Sequence, residues 1–328
     1  MHNQEKLLEK LHDEGFKPMP FFGSGKAQTF LTFFYPAHGD VSPTTTHTLT
    51  LPDEDKLVLM EYRPKVWQPG DRIVILVHGL TGNYRSKYNI RMCRVWLKQG
   101  YLVIRLNLRG CGPGAGLARH PYHSGRSEDT RFVIHWLKER FPTSPVTQVG
   151  FSLGGNITLK MAAEDGAKAP GNLDSVIAVS PPVDLHACSA LLHKPANQIF
   201  ERYFVKELIK DLAVRRKHYP DIPHLDLSPD MPLLDFDNIY TGPFSGFRDA
   251  IDYYTQCSSG MLLDRITLPT FILYAKDDPF ITIERFMHKM KAPNFDTMVT
   301  EHGGHVGWMG QPLNVQWMDG ILEKWLDW

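Results

Sequence analysis

Two hydrophobic rhythms run along the chain. Positions 46–51 and 56–62 alternate apolar and polar residues on either side of Pro52-Asp53-Glu54-Asp55, a pattern that predicts an antiparallel hairpin. From Arg72 the rhythm changes. Ile73-Val74-Ile75-Leu76-Val77 is apolar at every position, as in a strand covered on both faces. A helix is predicted over 87–99, closed by Gly100 where a C′ glycine belongs, and a strand over 101–108. Next come a helix over 127–140, with Glu128 and Asp129 in its first turn and Pro142 beyond its end, and a strand over 146–151. A helix over 153–167 and a strand over 173–180 follow. Strand–helix alternation at this spacing implies a mostly parallel, doubly wound α/β sheet with helices on both faces.

The alternation stops over 184–260. There, helical stretches at 198–216 and 247–254 flank a Pro/Asp-rich run at 219–237. It resumes with a strand over 270–274, a helix over 283–290, a strand over 296–300 and a last helix over 313–325. The simplest organisation is one α/β core, residues 1–183 and 261–328, interrupted by a helical cap insertion at 184–260. Ahead of the hairpin, the stretch to Pro43 is aromatic and punctuated by Gly and Pro.

Composition narrows the function. Lys plus Arg number 36 and Asp plus Glu 36, so the 328-residue chain has no net charge with which to gather nucleic acid. The longest purely aliphatic run, Ile73 to Val77, falls far short of the roughly 20 residues of a membrane span. The start Met-His-Asn-Gln-Glu-Lys does not read as a secretory signal, so a cytoplasmic location is expected. Contact with a membrane through the aromatic N-terminal stretch stays open. Cys93, Cys111, Cys188 and Cys257 show no C-x-x-C spacing, which favours buried free thiols over a zinc ribbon.

Gly150-Phe151-Ser152-Leu153-Gly154 matches G-x-S-x-G and lies between a predicted strand and a predicted helix, as a nucleophile elbow requires. A serine hydroxyl needs a base, and the base needs an acid to orient it. His305 follows the final strand within His302-Gly303-Gly304-His305, where two glycines let the loop carry it over the strand ends; His302 is its competitor. For the acid, Asp277 and Asp278 both follow the apolar strand at 271–274, and Asp278 is preferred by the count from Ala275. Both stand at a strand's carboxyl end, where such sheets bind ligands. The chain order Ser152, Asp278, His305 is that of α/β-hydrolases. His78-Gly79-Leu80 ends the first buried strand, so the backbone N–H groups of Leu80 and Leu153 are candidates for an oxyanion hole. The His78 side chain is expected only to pack and hydrogen-bond its neighbours.

Other groups read as structural. Arg215-Arg216-Lys217 is expected to be a solvated helix end, Arg109 a loop anchor, and Met287 and Met290 core packing.

These motifs together resemble the YheT-type branch of the α/β-hydrolases, whose eukaryotic relatives are membrane-associated lipid hydrolases. The resemblance runs through Gln28-Thr29, His78 to Gly82, Asn107 to Gly110 and Gly150 to Asn156. It continues through Asp235-Phe236-Asp237, Gly246-Phe247, Tyr253-Tyr254, Asp277 to Phe280 and Gly303 to Gly307. It implies a carboxylic-ester hydrolase with Ser152, Asp278 and His305 as triad. The expected mechanism is a serine esterase with an acyl-enzyme intermediate, no metal or organic cofactor, and a small-molecule ester substrate, short-chain esters first. Lipase, phospholipase or thioesterase action on acyl lipids is the alternative within the fold. A non-catalytic ligand-binding protein is the alternative outside enzymes. Dehalogenases and epoxide hydrolases place an aspartate at the elbow, so Ser152 argues against them.

Overall fold

β1 (Thr45–Thr50) and β2 (Lys56–Tyr62) form the predicted antiparallel hairpin, with Thr45 opposite Glu61 and Thr50 opposite Lys56. The remaining strands are β3 (Ile73–Val77), β4 (Leu102–Asn107), β5 (Val146–Phe151), β6 (Leu173–Val179), β7 (Thr270–Ala275) and β8 (Phe295–Thr300). All eight join one sheet in the order β1-β2-β4-β3-β5-β6-β7-β8. The hairpin meets β4 antiparallel, and every pairing from β4 to β8 is parallel. These relations come from a computed structural model that describes residues 15–34, 39–169, 171–282, 284–310 and 317–327.

Helices cover both faces, which is why the central strands carry no polar stripe. The chain supplies α1 (Gly25–Phe34), α2 (Lys87–Lys98), α3 (Ser127–Arg140), α4 (Leu153–Asp165), α5 (Leu185–Leu192), α6 (Gln198–His218), α7 (Ala250–Cys257) and α8 (Trp317–Leu326). Ile73, Ile75 and Val77 of β3 point into one core with Val133 and Leu137 of α3 and Ile157 of α4. Val74 and Leu76 point into the other with Trp96 of α2 and Leu322 and Trp325 of α8. The period-2 alternation of a strand thus feeds two cores at once. The four cysteines are free and buried.

Between β6 and β7 lie α5, α6 and α7, with only a short helix at Leu233–Phe236 inside the Pro/Asp-rich run. The helix predicted from 247 begins at Ala250. Asp249 caps it, accepting from the Asp252 N–H at 2.7 Å. Three other expectations need correction. No helix forms over 284–290. Two 3₁₀ turns, Glu284–Phe286 and Lys289–Lys291, take its place, and Pro293 holds Ala292 in extended backbone where a helix would have to continue. The aromatic N-terminal stretch, to which the hydrophobic rhythm assigns no element, contains α1. Arg215 is not solvated. Its Nε–H donates to the Ala118 carbonyl and its Nη1–H to the Tyr240 hydroxyl (3.2 and 2.8 Å), so the side chain is buried beneath the helices of 184–260. Lys217 alone of that cluster is exposed, and Arg216 is half-buried. Met1 to Lys6 and the expected helix start at Leu313 lie outside the described residues.

Arg109 anchors its loop, and its partners explain how firmly. Its guanidinium bridges the buried carboxylates of Asp129 (2.7 and 2.8 Å) and Asp55 (2.7 Å) and reaches Asp53 at the hairpin turn. Asp53, Asp55 and His120 also converge closely enough to suggest a cation site. The two carboxylates, however, already receive Arg109, and Asp55 also receives the Arg119 and His120 amides. The guanidinium is the cation here. Arg109→Met is expected to leave two buried carboxylates without their countercharge and to cost about 3–5 kcal/mol. Denaturant unfolding monitored by circular dichroism measures that loss; an unchanged midpoint would contradict the anchoring role.

Candidate active site

The carboxyl ends of β3, β5, β7 and β8 deliver the chemistry-bearing residues to one place, as parallel sheets do. Ser152 follows β5 and precedes α4 on a turn with φ 53° and ψ −122°, a backbone region that L-residues rarely adopt. The turn closes tightly on its neighbours. A Cβ at Gly154 would lie 2.4 Å from the Val77 carbonyl oxygen, so only glycine permits the approach of α4 to the end of β3. Strain here projects the Ser152 hydroxyl out of the sheet.

His305 Nε2 lies 2.8 Å from Ser152 Oγ, and His305 Nδ1 lies 2.8 Å from Asp278 Oδ2. The other Asp278 oxygen, Oδ1, accepts the N–H groups of Phe280 and Ile281, both at 3.0 Å. These bonds orient the carboxylate toward the imidazole. The competing pair sits apart. Asp277 Oδ2 is 3.3 Å from Nδ1 of the exposed His302, and Asp277 Oδ1 accepts the Gly304 N–H at 2.9 Å. Each candidate acid therefore has its own histidine, and only the Asp278–His305 pair reaches Ser152.

The loop that carries His305 is gripped by α1, a function the hydrophobic pattern does not reveal. The His305 N–H donates to Thr29 Oγ1 at 2.8 Å, and the Met309 N–H donates to Gln28 Oε1 at 2.7 Å. Gln28 Nε2 in turn donates to the Phe22 carbonyl. Gly304 has φ 59°, and a Cβ there would lie 2.2 Å from the Gly25 carbonyl oxygen. This is the physical content of the Gln28-Thr29 motif: both side chains are buried and face the loop. The signal in the sequence was the Gln28-Thr29 pair just ahead of the Phe-rich stretch at 30–34.

Leu80 and Leu153 both line the cavity next to Ser152. Among the described residues neither backbone N–H has a protein acceptor, whereas the Gly79 N–H is taken by the Tyr88 hydroxyl at 2.8 Å. His78 behaves as a packed residue. Its Nδ1 faces the Gly79 carbonyl (2.8 Å) and its Nε2 accepts the Leu108 N–H (3.1 Å), while burial pulls its pKa down to about 4. It is neutral at physiological pH and ties the ends of β3 and β4 together.

Above these groups lies a cavity of about 760 Å³, its open mouth included, walled by Leu185, Leu192, Phe204, Leu208, Leu233 and Phe280 among others. Most of the wall comes from the 184–260 segment, so the segment lies over the strand ends. Among the described residues no helix is long and apolar enough to cross a membrane.

The profile of the α/β hydrolase fold family matches residues 72–310. YheT of Escherichia coli (strain K12), an inferred esterase, is 33% identical over 319 residues, spanning 95% of this chain and 92% of that protein. Phospholipase ABHD3 of Mus musculus is 27% identical over 263 residues, 77% of this chain; the match spans 62% of that relative's length. The solved structure of the Pyrococcus furiosus esterase Pf2001 has the same fold, with a TM-score of 0.56 at 18% identity over 86% of this chain and 91% of that one. With the sheet order and the elbow geometry, these matches show that the chain belongs to the α/β-hydrolase family, in the branch that holds YheT.

Proposed function

We propose that the protein is a serine hydrolase of carboxylic esters. The observation that carries this reading is the unbroken hydrogen-bonded series from Asp278 through His305 to Ser152, at 2.8 and 2.8 Å, ending on a strained elbow beneath a cavity. Ser152 Oγ attacks the ester carbonyl carbon while His305 Nε2 takes the hydroxyl proton. Asp278 accepts from Nδ1–H, holds that tautomer and stabilises the imidazolium. The Leu80 and Leu153 N–H groups receive the developing oxyanion. Collapse expels the alcohol, which takes the proton from His305. A water deprotonated by His305 then releases the acid from Ser152.

A roofed, largely apolar cavity suits small esters better than a polymer, which needs an open groove. Short-chain esters are the proposed preference. Each further methylene buried is worth about 0.8 kcal/mol, about fourfold, until the cavity is full. Rates are therefore expected to climb over the first few acyl carbons of a p-nitrophenyl ester series and then fall. A second reading, hydrolysis of acyl lipids at a surface, is favoured by the exposed Phe21, Phe22 and Phe30 and by the phospholipase named among the relatives. Rates that keep rising to long-chain esters, or activity only on lipid aggregates, would select that reading instead. The serine assignment itself is tested by a fluorophosphonate probe, which should label Ser152; an unlabelled protein would overturn it.

A further inference from the structure

One wall of the cavity carries a feature that ester hydrolysis does not use. Asp237 lines it from a π-helical turn at Asp237–Thr241, and its side chain is almost wholly buried, the residue being 6% exposed. Asp237 Oδ2 accepts from the Tyr254 hydroxyl at 2.7 Å, and the Thr241 hydroxyl also bonds the carboxyl. Ser189 Oγ lies 3.3 Å from the same Tyr254 hydroxyl. Every one of these partners is neutral. Among the described residues no Lys, Arg or His forms an ion pair with Asp237, whereas Asp129, Asp319 and Asp184, which are as deeply buried, each have an arginine. The cavity wall carries two histidines, His305 of the proposed triad and His123, and burial pulls the pKa of His123 well below the usual range, so it brings no charge.

Buried carboxylates are ordinarily matched by a cation, because neutral donors satisfy their lone pairs and leave the charge uncompensated. Here the carboxylate lines the cavity, and among the described residues no cation meets it. We propose that Asp237 forms a subsite for an ammonium group carried by the ester substrate. The inference rests on the reading of this cavity as the ester site. An ammonium supplies both what the carboxylate lacks: N–H donors for the remaining lone pairs and a countercharge in a medium of low dielectric. The rings of Tyr253 and Tyr254, 5.1 Å apart, line the same cavity, and aromatic rings attract cations. A substrate hydroxyl would supply a donor without the charge. Burial also pushes the carboxyl up to about 6 against the lowering effect of its Thr241 and Tyr254 hydrogen bonds. On this reading Asp237 is a specificity residue, and the favoured substrates are amine-bearing esters.

The test uses the full chain at pH 7.5 and two probes of similar size, n-butylammonium chloride and 1-butanol, at constant ionic strength. Isothermal titration calorimetry should show butylammonium binding about tenfold or more tightly than butanol, a margin that Asp237→Asn abolishes. Should that variant not fold, labelling of the wild-type protein by a fluorophosphonate keeps the proposal exposed: butylammonium should slow it where the same concentration of butanol does not. Equal affinities, tighter binding of butanol, a margin that survives in Asp237→Asn, or labelling indifferent to butylammonium would overturn the subsite. A protein that never labels would instead overturn the serine-hydrolase reading, and the calorimetric comparison would still decide the role of Asp237.

Discussion

Ser152→Ala is expected to give a folded protein whose kcat for ester hydrolysis is lower by about 10⁴-fold or more, because the hydroxyl and its two partners act as one unit. The fold should survive. The side chain faces the cavity rather than either core, and the substitution removes a single oxygen, whose partner is His305 Nε2. The backbone at φ 53° is strained for serine already and is no worse for alanine. Steady-state rates on a soluble p-nitrophenyl ester, beside a thermal melt, check both halves. A folded variant with substantial activity would sink the proposed mechanism.

The second large effect separates two adjacent acids. Asp278→Asn should lose about 10⁴-fold in kcat, since an amide facing Nδ1 favours the imidazole tautomer that cannot accept the serine proton. The Asn carbonyl can still accept the Phe280 and Ile281 amides, so the loop is expected to keep its shape. Asp277→Asn touches only the exposed pair with His302 and the Gly304 amide bond, and should cost about tenfold or less. Parallel kcat measurements on the two variants decide. If Asp277→Asn proves the more damaging, the acid's role moves to Asp277.

β3 and β7 were legible because burial on both faces writes itself as an apolar run, a local signal, and β4, β5 and β6 because their shorter apolar runs alternate with helical segments. The elbow was legible for the same reason: a strand, two glycines and a helix adjoin within a dozen residues. Asp277 and Asp278 illustrate the opposite case. They share a loop and a residue type, and what separates them is which histidine each one faces 25 or 27 residues later. Arg215 misled because a basic cluster at a helix end usually points to water, and nothing local shows the Tyr240 hydroxyl arriving from a later turn. The turns at 284–291 misled because the apolar spacing fits a helix, while Pro293 stops it downstream and bonds to distant residues, Lys289 to Asp264 and Thr297 to the Met290 carbonyl, hold the turns. The hydrophobic pattern of α1 was masked by its aromatic surroundings. Its meaning lay almost the full length of the chain away.

That last contact sets the order in which the site comes into being. The elbow is complete once β6 pairs with β5, at which stage Ser152 has no histidine beside it. His305 emerges 153 positions after Ser152, and the hydroxyl that holds its backbone belongs to Thr29, 276 positions before it. Contacts of such separation form late, after the loops between them have closed. On the proposed mechanism, a nascent chain therefore carries an inert serine until His305 has been made and docked. On that mechanism, reactivity would be switched on when the loop that carries His305 docks against Thr29 of α1.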